Sequence, residues 1–228
     1  MKRMADLCNT PISISSLITY NSEVTVCSDI TADSTIIFDK LLYENFEYVF
    51  RAKCGLKTVI VKVFHGRPFG STEFEILQYL QEESATPEMF PQPYMKILNP
   101  VPNSLLPTLC NIRIKNVWQI LIYEYIEGKC IQGRSWNNTE NLVLHNSISR
   151  QLYELHSLAL VHNDVAARNI IKDPEGNYYL IDYGNAYSLS DHRFQLNNPF
   201  LYGEKGDDPY RKDMLNLAHI TGIDDKFI

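Results

Sequence analysis

Apolar and polar positions alternate through Glu47-Tyr48-Val49-Phe50-Arg51-Ala52-Lys53-Cys54, the period-2 pattern of a half-buried strand. Ile36-Ile37-Phe38 with Leu41-Leu42-Tyr43 reads as a strand before it. Gly55-Leu56-Lys57 turns the chain into a third, Thr58 to Phe64, which is apolar almost throughout. Glu73 to Leu80 then places Phe74 and Leu77, with Ile76 and Leu80, on one side of a helix, and Ser71 is its expected N-cap. Pro87, Pro91, Pro93, Pro100, Pro102 and Pro107 break the following stretch into loops, after which Asn111–Lys115 and Val117–Tyr125 read as a hairpin. The strongest helical repeat runs from Asn141 to Leu160 through Leu144, Ile148, Leu152, Leu155 and Ala159, with Arg150 and Glu154 spaced as an i,i+4 pair. Asn177 to Ile181 is a short apolar strand behind the turn signal Asp173-Pro174-Glu175-Gly176, and Arg211 to Ile220 is one more helix. Residues 1 to about 35, rich in Ser and Thr with short β-branched runs, read as an extension that either adds a strand or stays partly loose.

Two features of this pattern carry chemistry. Lys62 stands inside the apolar strand Thr58–Phe64, and a lysine is almost never fully buried without a partner. A carboxylate on the next helix would supply one: Glu73 lies beside the apolar face, with Glu75 as the alternative. The second feature is the stretch Leu160 to Gly184. The hairpin tipped by Pro174-Glu175-Gly176 carries Asn169 at one mouth and Asp182 at the other, with Asp164 shortly upstream. Two carboxylates and an amide oxygen are hard ligands and a possible base, which suits Mg²⁺ with phosphate more than zinc or copper.

The chain of 228 residues is long enough for one domain or for two small lobes. Apolar content of 45% with 21% charged residues is ordinary for a soluble globular protein. A net charge of −6 and a pI near 5.5 argue against a general nucleic-acid binder. Cys8, Cys27, Cys54, Cys110 and Cys130 are scattered, odd in number and without Cys-x-x-Cys spacing, as free thiols in a reducing compartment would be. No signal peptide and no run of membrane-spanning length is apparent, so a cytoplasmic location with nuclear access open is the expectation. Asn137-Asn138-Thr139 matches a glycosylation sequon and is read as having no function in such a compartment.

His162-x-Asp164 followed by Asn169, and then Asp182-Tyr183-Gly184, resembles the catalytic loop and Asp-Phe-Gly segment of the protein kinase superfamily. Val59-Ile60-Val61-Lys62 is similar to that family's Val-Ala-Ile-Lys strand, and Tyr123-Glu124-Tyr125-Ile126-Glu127-Gly128 resembles its hinge. The resemblance implies an α+β, bilobal protein-kinase-like fold: an N-terminal extension over 1–35, an N-lobe of antiparallel β-sheet plus one helix over 36–125, and a reduced, mainly helical C-lobe over 126–228. It implies ATP and Mg²⁺ as cofactors. Lys62, held by Glu73, would grip the α and β phosphates. Glu124 and Tyr125 would meet adenine, with Tyr123 at the back of that pocket. Asp182 would bind Mg²⁺, Asn169 would hold the second metal position, and Asp164 would accept or orient the proton of the attacking hydroxyl. His162 would pack beneath the loop, and Asp213 would support it from the last helix. The implied function is transfer of the γ-phosphate of ATP to a hydroxyl of a protein substrate. The alternatives are a pseudokinase acting as a nucleotide-binding or scaffolding module, and a small-molecule phosphotransferase. Neither a membrane nor a general nucleic-acid partner is expected.

The chain departs from the family pattern in four places. Asn163 replaces the arginine that meets a phosphorylated activation segment in many of these kinases, which argues against activation by that route. Tyr43-Glu44-Asn45-Phe46-Glu47 has no glycine where the phosphate-covering loop belongs, so side chains would hinder close backbone approach to phosphate. Ala166-Ala167-Arg168 resembles the loop of tyrosine kinases. Asn185 to Pro209 contains no Ala-Pro-Glu.

Overall fold

The computed structural model describes residues 11–18, 22–27, 30–44, 47–65, 72–100, 114, 117–133, 137–194 and 208–223. Among these residues the fold is α+β: an antiparallel sheet of seven strands, two smaller antiparallel sheets and three α-helices. Two compact units divide it, one within Met1–Phe69 and Pro93–Tyr125, the other within Gly70–Gln92 and Ile126–Ile228. Among the described residues no helix is long and apolar enough to cross a membrane.

The first unit is the seven-stranded sheet. Its strands are β1 (Ile12–Ser13), β2 (Glu23–Val26), β3 (Thr35–Glu44), β4 (Glu47–Cys54), β5 (Lys57–His65), β6 (Pro93–Leu98) and β7 (Val117–Glu124), in the order β1-β3-β4-β5-β7-β6-β2. β5 lies at the centre, which explains its unbroken apolar run: Val59, Val61 and Val63 enter the core, while Ile60 and Lys62 are buried on the opposite face. The strand expected before β4 is β3, whose register slips between Phe38 and Lys40 and again between Leu41 and Tyr43. The ion pair of Asp39 with Arg51 spans the first of these slips.

Two sequence expectations are refined here, the extension by taking its strand-adding alternative and the proline-rich stretch by a correction. The extension adds both edge strands: Ile12 pairs with Ile36 at one edge, and Glu23 to Val26 pair with Leu98 to Met95 at the other. Ile14 and Leu17, between those strands, are buried in the sheet's core beside Ile30. The correction concerns the proline-rich stretch, which holds β6. Pro93 occupies its first residue, a position where a missing N–H costs the ladder least. Met95 and Ile97 then alternate into the core. β6 is thus a neighbour of β7 in this sheet; of the expected first hairpin arm only Ile114 is described, and it is buried in the core.

The second unit is organised by α2 (Asn138–Ser157). Asn137, the asparagine of the sequon, is its N-cap and accepts from the Glu140 amide. Leu144, Ile148, Leu152 and Leu155 are fully buried. Glu154 accepts from the Ser84 hydroxyl at 2.8 Å and from the Ala85 amide at 2.6 Å, beyond the C-terminus of α1 (Glu73–Glu83). An Arg-then-Glu order is the weaker sense of an i,i+4 pair, so the competing tertiary bonds prevail. The N-cap of α1 is Thr72; Ser71 lies outside the described residues. β8 (Lys129–Cys130), β9 (Leu160–Val161), β10 (Ile170–Lys172), β11 (Tyr178–Leu180) and β12 (Tyr187–Ser188) make the two small sheets. α3 (Pro209–Thr221) starts at the N-cap Asp208 with Pro209 in its first turn, and stops at the left-handed Gly222. Met214 and Leu217 of α3 share a core with Leu144, Ile148 and Leu152 of α2 and with the β10–β11 hairpin.

Candidate functional site

Asp164, Asn169, Asp182 and Glu73 belong to the helical unit. From β9 the chain enters a loop that hydrogen bonds to Asp213 hold in place. Asp213 is fully buried on α3, and its two oxygens accept from the amides of His162 (2.8 Å) and Asn163 (2.9 Å). The same carboxylate lies 3.3 Å from Nε2 of His156. Asn163 adopts a left-handed conformation, uncommon outside glycine but best tolerated by asparagine among other residues. Its side-chain oxygen accepts from Lys212, on α3 beside Asp213.

His162 is fully buried beneath this loop. Its Nδ1 accepts from the Asp164 amide at 3.3 Å, which leaves the proton on Nε2 to be donated to the Ile181 carbonyl at 3.2 Å. Burial lowers its pKa, against the pull of Asp213, Asp182 and Asp164, so the neutral ring is favoured. Its ring packs edge-on against Tyr183, 4.8 Å between centroids. The packing role expected of His162 is therefore the one these contacts describe.

Asn169 closes the loop. Its amide nitrogen donates to the carbonyl of Asp164 at 2.9 Å and to Oδ2 of Asp164 at 3.0 Å. With the NH₂ end so committed, the amide oxygen is the end left to take a cation. The other oxygen of Asp164 is ion-paired with Arg168, which is largely exposed. The i,i+4 spacing of these two residues was visible in the sequence, although the pair itself was not anticipated. Ile170 opposite Leu180 starts the β10–β11 hairpin, and the Ile181 amide donates to the Asn169 carbonyl at 2.8 Å. Asn169 and Asp182 thus flank the same hairpin mouth. Gln151 of α2 fixes the outer edge of that hairpin by donating to the Tyr178 carbonyl and accepting from the Leu180 amide.

Asp182 is left-handed, with φ 66° and ψ 72°. Tyr183 follows as a fully buried anchor whose hydroxyl donates to the Leu180 carbonyl, and burial raises its pKa so that it stays protonated. A side chain on Gly184 would stand 3.5 Å from Oδ1 of Asp182 and 4.0 Å from Oε2 of Glu73. Two carboxylates therefore flank this glycine. Glu73 is the buried one of the two helix acids considered for pairing; Glu75 is only half-buried.

Lys62, Tyr123, Glu124 and Tyr125 belong to the sheet unit. Lys62 is 3% exposed on central β5. Its ammonium lies 3.7 Å from Oε1 of Glu47 and 5.7 Å from the centre of the Tyr123 ring. The sequence reading missed Glu47. The signal lay in the strand register: Val49 faces Lys62, and Glu47, two residues along, points to the same side. Glu124 ends β7 opposite Val59, and Tyr125 follows it. Tyr125 is bound to Arg51, whose charged form it and Asp39 favour by hydrogen bonding. Asn45 and Phe46 of the glycine-free turn lie outside the described residues, as does much of the segment after Phe194.

Among the described residues no group of three or more His, Cys, Asp and Glu side chains converges to hold a metal ion. Magnesium does not require such a group, since it commonly takes one or two carboxylates and completes its shell with water and phosphate oxygens. The donors Asp182 and Asn169 fit that requirement. No family model matches the chain, and no curated protein matches it.

Proposed function

We propose that this chain is an ATP- and Mg²⁺-dependent phosphotransferase of the protein-kinase-like kind, transferring the γ-phosphate to a hydroxyl of a protein substrate. The observation that carries this reading is the hairpin mouth. Asn169 and Asp182 flank it, and Asn169 ties Asp164 to the same loop, which Asp213 pins from beneath. Phosphoryl transfer needs little covalent chemistry from a protein, chiefly positioning and neutralisation of charge. Mg²⁺, when bound, would supply the neutralising charge at the phosphates, and Asp182 with the Asn169 amide oxygen would hold it. Asp164 would orient the acceptor hydroxyl and take its proton. Lys62 would bind phosphate oxygens, with Glu73 as its carboxylate partner, and Glu124 and Tyr125 would meet the adenine through their backbone groups.

The assay is transfer of labelled γ-phosphate to the chain itself or to generic protein acceptors with Mg²⁺ or Mn²⁺. Transfer should be lost in Asp164→Ala and Asp182→Ala, and undiminished transfer in both would overturn the reading. One observation favours a second reading, a pseudokinase that binds nucleotide without turnover: both oxygens of Asp164 already have partners, Arg168 and Asn169. Thermal stabilisation by Mg·ATP with no transfer, also absent in Arg168→Ala, would select that reading.

A further inference from the structure

The turn before β4 lacks glycines that could cradle a phosphate, but the residue that ends it is a carboxylate with a partner. We propose that Glu47 is a positioning residue for Lys62, holding the buried ammonium charged and aimed along the sheet face for an anionic ligand. This goes deeper into the same proposed nucleotide site and rests on it for the identity of that ligand.

An ammonium on a central strand is costly to desolvate unless an opposite charge compensates it. At 3.7 Å Glu47 is within ion-pair reach but outside ordinary hydrogen-bond distance. At that separation it supplies compensating charge to the ammonium. The geometry is built into the ladder, since β4 and β5 pair continuously from Glu47–Phe64 to Cys54–Lys57 and fix both residues on one face. Glu47 of β4 faces this ammonium from one neighbouring strand, and the Tyr123 ring of β7 adds a cation–π contact from the other. Glu47 is more open, its side chain 21% exposed against 4% for Lys62.

The test is a pH titration of Lys62 in protein carrying ¹³Cε-labelled lysine, with Lys62→Arg to assign the signal. Glu47→Gln keeps shape and removes charge, and Glu47→Asp keeps charge. The midpoint should fall by about one unit or more in Glu47→Gln, the scale of an opposite charge within a few ångström, and recover most of that loss in Glu47→Asp. In parallel, the pH above which Mg·ATP affinity declines should move down in Glu47→Gln and return in Glu47→Asp. An unchanged Lys62 midpoint in Glu47→Gln overturns the proposal, whatever the nucleotide data. A shifted midpoint in a protein that never binds Mg·ATP supports the role of Glu47 toward Lys62 and counts against the nucleotide assignment alone.

Discussion

Asp213→Asn removes one charge and almost no volume, so its effect reports chiefly the bonds that hold the loop, with the longer contact to His156 at 3.3 Å as a smaller part. In the wild type two backbone N–H groups, of His162 and Asn163, each donate to an oxygen of a fully buried carboxylate. Hydrogen bonds to charged groups contribute about 1.5–3 kcal/mol each. An asparagine keeps one acceptor oxygen, with a weaker bond, and turns its NH₂ toward the other backbone donor, leaving that N–H buried without a partner. Relief of the buried charge offsets part of this loss. The net expectation is destabilisation of about 2–4 kcal/mol, a large share of the roughly 5–15 kcal/mol that holds a typical domain. Urea unfolding by circular dichroism measures the total. Hydrogen exchange over residues 160–169 locates it, and the amides of His162 and Asn163 should lose most of their protection. A variant within about 0.5 kcal/mol of wild type, with those amides still protected, would refute the assignment of Asp213 as the anchor of the loop.

Further expectations concern pH, packing and the extension. The depressed pKa of buried His162 means that below about pH 6.5 the unfolded chain binds a proton that the folded chain resists. Its contribution is therefore complete above that pH and is lost as pH falls toward the folded value, with a slope of at most about 1.4 kcal/mol per pH unit. Urea midpoints between pH 7.5 and 5 should show this slope, and His162→Gln should flatten it. A Cβ at Gly128 would overlap the Lys172 carbonyl and the Ile171 side chain. Gly128→Ala should lower stability by about 1–3 kcal/mol, measured by thermal unfolding, as the hairpin shifts to make room. Leu17→Ala, at a residue 1% exposed, should cost about 2–5 kcal/mol in the sheet unit, read by Trp118 fluorescence; a silent change would mean that the extension is not part of that core.

The sequence and the structure agree most where the pattern is local. β4 alternates, β5 is apolar throughout, and α2 keeps its repeat, so these elements and the anomalous Lys62 within them were legible from period alone. The hairpin mouth was legible for the same reason, because Asp173-Pro174-Glu175-Gly176 closes a short turn and leaves Asn169 and Asp182 at the two sides of its open end. What was not legible depends on partners far along the chain. β1 is two residues long, and β2 gains its place only by pairing with β6 across the sequence. β6 hides behind the prolines around it. Glu47 is an ordinary strand glutamate until the β4–β5 register puts it beside Lys62. Glu154 was assigned to its helical neighbour because its tertiary partners, Ser84 and Ala85, follow a different helix.

The proposed function is tested most directly by calorimetric titration of Mg·ATP into wild type, Asp182→Asn and Lys62→Met. Wild type should bind only with Mg²⁺ present, and each variant should bind at least about tenfold more weakly, a loss of about 1.4 kcal/mol or more. Equal affinity in all three, or binding indifferent to Mg²⁺, would contradict it.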